Sequence, residues 1–182
     1  MPPLPALATD LQSPLAAPLA GGDWRAVRPA DLREIVRQRR EMFAANGHPD
    51  QVLAPMSEAF AAWLAPRLAS GAYFGWIVED EAGRPVAGLG MMELDWPPHP
   101  LHPGQDRRGY ILNVFVDPDL RGAGVGRALM DRAVAEGRRR GLDLLVLHAS
   151  PMGRPLYDLL GWTPGSEMVL PLNSADLHPA AP

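Results

Sequence analysis

Residues 110–130 read YILNVFVDPDLRGAGVGRALM, and the rest of the chain falls into place around them. Ile111 to Val116 is dense in β-branched and aromatic residues and stops at Asp117-Pro118, where proline removes a ladder donor and bends the chain, so the run predicts a buried strand ending in a turn. Arg121-Gly122-Ala123-Gly124-Val125-Gly126 follows. Beyond it, apolar residues at Val125, Ala128, Leu129, Ala133, Val134 and Gly137 recur at helical spacing. The glycines therefore stand between a strand's end and a helix's first turn. Free backbone N–H groups there, with the helix dipole behind them, make a socket for an anion, and the missing Cβ atoms let a phosphate come close. Arg121 and Arg127 flank the socket with positive charge.

Phosphate loops of different kinds demand different neighbours. A nucleotide P-loop needs Gly-Lys-Ser/Thr, and this chain has no lysine at all. A dinucleotide loop needs G-x-G-x-x-G and an acidic residue at the far end of the next strand; Gly122, Gly124 and Gly126 are spaced by two, and Asp143 stands at the near end. What remains is Arg-x-x-Gly-x-Gly after Val-x-Val-x-Pro, followed downstream by Leu156-Tyr157-x-x-x-Gly161-Trp162. This combination resembles the GNAT superfamily of N-acetyltransferases, closely from Tyr110 to Met168 and in architecture alone over Trp24 to Leu94.

Composition sets the outer bounds. A chain of 182 residues with 47% hydrophobic and 21% charged residues reads as one globular domain with a sizeable core. A net charge of −4 carries no footprint for nucleic acid or an anionic membrane. All 17 basic residues are arginine. The absence of cysteine excludes disulfides, thiolate metal ligands and an acyl-cysteine route, and a cytoplasmic location is the default expectation.

The expected organisation is an irregular tail over 1–22, too proline-broken and too poor in basic residues for a signal peptide or spanning helix, one domain over 23–172, and a loose tail over 173–182. Within the domain, Trp24 to Arg28 reads as a strand. A helix follows from Pro29 through Ala45, with Leu32, Ile35, Val36, Met42 and Phe43 on one side and Arg37, Arg39 and Arg40 on a solvated face. A second helix is expected over Met56 to Ala69, kinked or broken at Pro66. Tyr73 to Glu79 and Pro85 to Leu94 read as an antiparallel hairpin, and Asp95 to Gly109 as a long proline-rich loop of functional character. Its His99 and His102 lack the spacing of a metal site, so no metal is expected. Leu142 to Ala149 reads as a parallel strand apolar on both faces. Ser150-Pro151 opens a short helix to Leu160, and Glu167 to Leu172 reads as a last strand. This order is α+β, a mixed but mostly antiparallel sheet flanked by helices, as a GNAT fold requires.

The resemblance implies chemistry at particular positions. The loop Arg121, Gly122, Ala123, Gly124, Val125, Gly126 and Arg127 would hold the pyrophosphate of acetyl-CoA, the co-substrate. Backbone groups of the segment Val114, Phe115 and Val116 would hold the pantetheine arm, with the Val114 N–H polarising the thioester carbonyl. Tyr157 falls on the family's general-acid tyrosine, against a plain packing role. Ser150 stands where an asparagine usually contacts pantetheine, and Leu112 where many relatives carry an acidic base. His148 is titratable near neutral pH and could serve as base, against a packing role. Asn113, Glu93, Asp95 and Phe43 are candidates for the acceptor side, and Glu93 or Asp95 would favour a cationic amine. The expected activity is transfer of acetyl directly to a primary amine of a small molecule. A non-catalytic acyl-CoA sensor and a protein N-acetyltransferase are the alternatives, and a homodimer is left open.

Overall fold

Residues 22–170 are described in this computed structural model, and along them five strands and four helices follow one another. The expected tails, 1–22 and 173–182, lie outside the described residues except for residue 22. β1 (Asp23–Ala26) enters α1 (Leu32–Ala45) through a 3₁₀ turn at Pro29–Asp31, and α2 (Asp50–Ser70) leads back to the sheet. β2 (Phe74–Glu79), β3 (Pro85–Asp95) and β4 (Arg107–Val116) form a meander, followed by α3 (Val125–Arg139), β5 (Leu145–Leu147) and α4 (Arg154–Leu159). The strands lie in the order β1-β2-β3-β4-β5, antiparallel up to β4 and parallel between β4 and β5. The single parallel pair is the one that needs a helical crossover, and α3 supplies it.

Each face of the sheet carries its own core. On one side Ile35 of α1 and Phe60, Leu64 and Leu68 of α2 pack with Tyr73 and Ile77. On the other, Val125, Leu129, Met130 and Ala133 of α3 and Tyr157 of α4 pack with Val78, Val86, Leu89, Met91 and Ile111. Entry into α1 is pinned by Asp31, whose carboxylate accepts the Arg28 N–H at 2.7 Å and a two-pronged contact from Arg25 at 2.7 and 2.9 Å.

Three expectations change. α2 starts at Asp50, because Leu53 extends its buried stripe, and it runs unbroken through Pro66. A proline inside a helix costs about 3 kcal/mol. Burial of Leu64 and Leu68 on both sides of it outweighs that cost, and the Arg67 guanidinium bonds the Trp63 carbonyl at 2.7 Å while lying over the Trp63 ring. β5 is three residues long and half-buried, an edge strand among the described residues in place of a strand buried on both faces. Finally, residues 167–170 form no strand, with Met168, Val169 and Leu170 exposed, while 171 and 172 lie outside the described residues.

Candidate active site

The defining local event is a bulge in β4. Gly88 pairs with Phe115, but Gly90 pairs with Leu112, so Asn113 and Val114 together stand opposite Leu89. Asn113 takes φ 55°, the left-handed region that asparagine tolerates better than other non-glycine residues. The extra residue resets the alternation. Leu112 packs on the α1–α2 side, and Asn113 points to that same side, while Val114 and Val116 face the α3 core. Beyond Ile111↔Leu147 the parallel pairing stops. Among the described residues, the edge of β4 from Leu112 to Val116 that looks away from β3 therefore has no strand partner, and its backbone groups stay out of the sheet's ladder.

At the end of β4 the chain turns through Pro118–Leu120 and reaches the glycines. Gly122 and Gly124 take φ 82° and 84°, and a Cβ built on either would meet nothing within 4 Å, so the loop's concave side is open. The N–H groups of Val125, Gly126 and Arg127 lie in the first turn of α3, where a helix offers no acceptor of its own. Arg121 donates to the Val116 carbonyl at 3.3 Å, tying the loop to the strand end, and Arg127 lies 3.9 Å from Asp131. This arrangement fits a pyrophosphate at the loop and an extended arm along Val114, Phe115 and Val116.

Tyr157 stands on α4, whose Leu156 lies against Gly126 in the first turn of α3. It is buried, its ring lies 6.2 Å from the Trp162 ring, and Gly153 leaves it room, since a Cβ there would come within 3.0 Å of Cε2. Its hydroxyl bonds no described residue, and burial raises its pKa above the usual tyrosine value, so it stays protonated at neutral pH. Ser150 caps the start of this segment, its hydroxyl accepting the Gly153 N–H at 3.1 Å, although regular helix begins only at Arg154. His148 is 69% exposed, its ring stands edge-on to that of Tyr110 at 5.6 Å, and its Nδ1 lies 2.6 Å from the Tyr110 hydroxyl.

The other side of the bulge is polar and was missed. Arg39 was expected on the solvated face of α1, yet it is half-buried and its guanidinium donates to Asn113 Oδ1 at 2.7 Å. The Asn113 amide in turn donates to the Tyr73 hydroxyl at 3.1 Å, and Gly90 makes room for that hydroxyl, which would stand 2.0 Å from a Cβ. Burial pushes the Tyr73 phenol up to about 12. A signal existed: Arg39 sits at helical spacing inside the stripe Leu32, Ile35, Val36, Met42, Phe43.

Phe43 does reach this corner, lying 4.8 Å under the Arg39 guanidinium. Glu93 and Asp95 do not. Glu93 is bound to Arg107 at 2.6 Å and to Arg140 at 2.8 Å, so its charge is spent, and Asp95 is exposed at the end of β3. The proline-rich loop packs at the start of β4 against the end of α3, with Gln105 bonding the Gly141 carbonyl at 3.0 Å, far along the strand from the glycine loop. His99 holds the Leu101 N–H and pairs with His102, and among the described residues no group of three or more His, Cys, Asp or Glu could hold a metal ion. No helix among them is long and apolar enough to cross a membrane.

Comparison with known proteins agrees with this fold. A GCN5-related N-acetyltransferase from Ralstonia eutropha JMP134 is 50% identical, covering 84% of this chain and 99% of that one with a TM-score of 0.80. An acetyltransferase from Clostridium acetobutylicum solved with acetyl-CoA is 26% identical, covering 86% and 99% with a TM-score of 0.76. The mycothiol acetyltransferase of Beutenbergia cavernae is 30% identical over 158 residues, 82% of this chain but 48% of that protein, so the present chain spans about half of that relative's length. The family model described as acetyltransferase (GNAT) family matches residues 33–162, and with the bulged strand, glycine loop and buried tyrosine in place, the chain belongs to that family.

Proposed function

We propose that the protein transfers acetyl from acetyl-CoA directly to a primary amine of a small molecule. The observation that carries this reading is that β4 loses its β5 partner after Ile111, next to the Asn113–Val114 bulge, which leaves a strand edge out of the ladder just before the open glycine loop. Relatives named for acetylating small molecules support the acceptor class.

Acetyl-CoA, when bound, supplies an activated thioester carbonyl. The loop from Arg121 to Arg127 holds its diphosphate on backbone N–H groups, and the unpaired edge of Val114 to Val116 holds its arm. The Val114 N–H stabilises charge growing on the carbonyl oxygen, the type of contribution that is worth most in a water-poor cleft. Tyr157, kept protonated by burial and without a hydrogen-bond partner among the described residues, gives its proton to the leaving thiolate. His148 faces solvent beside Tyr110 and takes the proton lost by the amine.

Calorimetric titration with acetyl-CoA and thiol release over a panel of amines test the reading together. Binding with amine-dependent thiol release is the expected result. Tight binding with no release for any amine would return the protein to an acyl-CoA sensor, and release with peptides alone would make it a protein acetyltransferase.

A further inference from the structure

Arg25, Arg37 and Arg140, like Arg39, are half-buried, and each is matched by two carboxylates. Arg39 is not. Among the described residues no carboxylate lies within 4 Å of it, and its only hydrogen-bond partner is the neutral Asn113 amide oxygen. Its Nε is buried with no partner. Phe43 and Phe60 lie against the guanidinium at 4.8 and 4.6 Å, so the faces are covered and the N–H edge is what it presents. Arginine cannot relieve such a site by losing its proton, and burial already works against its charge. The cost stands until an anion arrives.

The position of this charge matters as much as its isolation. Asn113 is the bulge residue, and the next residue, Val114, carries the N–H placed at the acyl carbonyl. An acceptor that reaches the reacting carbon from the α1–α2 side passes the Arg39 edge. We propose that Arg39 anchors an anionic group of the acceptor, so that the preferred substrate is an amine that also bears a carboxylate or a phosphate. This rests on the acyl-transfer reading above and narrows it. It also reverses the expectation of a cationic acceptor, since Glu93 is already neutralised by two arginines.

The test has two arms. In the first, the Arg39 Nε–H resonance of the wild-type protein with acetyl-CoA is followed by NMR during titration with inorganic phosphate or with acetate. A saturable shift is expected, its strength with each anion separating phosphate from carboxylate acceptors; no shift with either overturns the proposal, whatever the enzyme's activity. In the second, thiol release is compared for alanine against alaninamide and phosphoethanolamine against ethanolamine, in wild type and in Arg39→Gln. A charge-assisted contact corresponds to about a 10- to 100-fold preference in kcat/KM for the anionic member of a pair, and Arg39→Gln should bring that within-pair ratio close to one. Equal rates within each pair, or equal loss for all four amines in a folded variant, overturn it. If Arg39→Gln does not fold, the wild-type titration and pair preferences still decide. If no amine is turned over, the titration alone decides the anion site, and acetyl transfer is what has failed.

Discussion

The two faces of the sheet at β4 are built from different chemistry. On the α3–α4 face the site is made of backbone groups and one phenol set into an apolar core of Leu129, Met130, Val125 and Ile111. On the α1–α2 face it is made of side chains, Arg39 to Asn113 to Tyr73, in a chain of directional contacts. A cofactor common to many reactions can be held by backbone, whose geometry hardly depends on side-chain identity. An acceptor has to be told from its competitors, and that takes charged and hydrogen-bonding side chains. In the proposed function, one residue of bulge separates the two tasks.

The largest effect that would break this division is on the cofactor face. Tyr157→Phe keeps the ring in its place against Trp162 and removes only the proton donor. General acid catalysis is typically worth 10²–10⁴-fold, so kcat should fall by about that factor, roughly 3–5 kcal/mol, with acetyl-CoA affinity nearly unchanged. Because burial raises the Tyr157 pKa, the acid is lost only as pH climbs beyond the ordinary tyrosine range, and any basic limb it causes should lie there. A variant that keeps half or more of wild-type kcat with chemistry rate-limiting would make Tyr157 a packing residue.

Next comes the loop. Gly124→Val meets no protein atom, so its cost comes from a β-branched residue at φ 84° and from the side chain standing where the diphosphate should lie. Left-handed strain alone is about 1–2 kcal/mol, or roughly 5- to 30-fold if it falls on binding. The acetyl-CoA Kd should rise by at least that much in a folded variant, and an unchanged Kd by calorimetry would remove the loop from the cofactor site.

On the acceptor side, His148→Gln tests the base. An exposed base is readily replaced by water, so a loss of about tenfold in kcat/KM is expected, together with loss or displacement of the acidic limb of its pH profile. An unchanged limb and rate would leave water as the base.

The smallest effect is a titration that sharpens the contrast between the faces. All three tyrosines are held protonated above their usual range, and desolvation is the first cause at each. Spectrophotometric titration should show less than half of the phenolate signal at pH 10, with Tyr73 ionising near 12. The sign for stability follows: the unfolded chain loses these protons first, so stability is complete below pH 10 and falls between there and 12. Tyr73→Phe should flatten that fall. Half-ionisation of all three tyrosines at pH 10 in folded protein, as exposed phenols show, would mean that the Tyr73–Asn113 contact is not buried.

What could be read from the chain alone was whatever depends on local pattern. The strand into the glycine loop, the crossover helix, the hairpin and the Leu-Tyr-x-x-x-Gly-Trp segment are each encoded within a few neighbouring residues, and they stand where expected. Residues 167–170 have the composition of a strand but pair with none, because pairing is a property of two segments and composition belongs to one. β5 was cut short for a related reason, the splay that begins after Ile111. Pro66 argued for a kink, and core packing around Leu64 and Leu68 overruled it. The polar corner depended on tertiary structure most of all. Arg39 and Asn113 are 74 positions apart, and nothing in either neighbourhood says that a bulge will turn Asn113 toward α1 or that two phenylalanines will cover the guanidinium. Backbone sites follow from short-range sequence, whereas side-chain sites form only where distant segments are packed against each other.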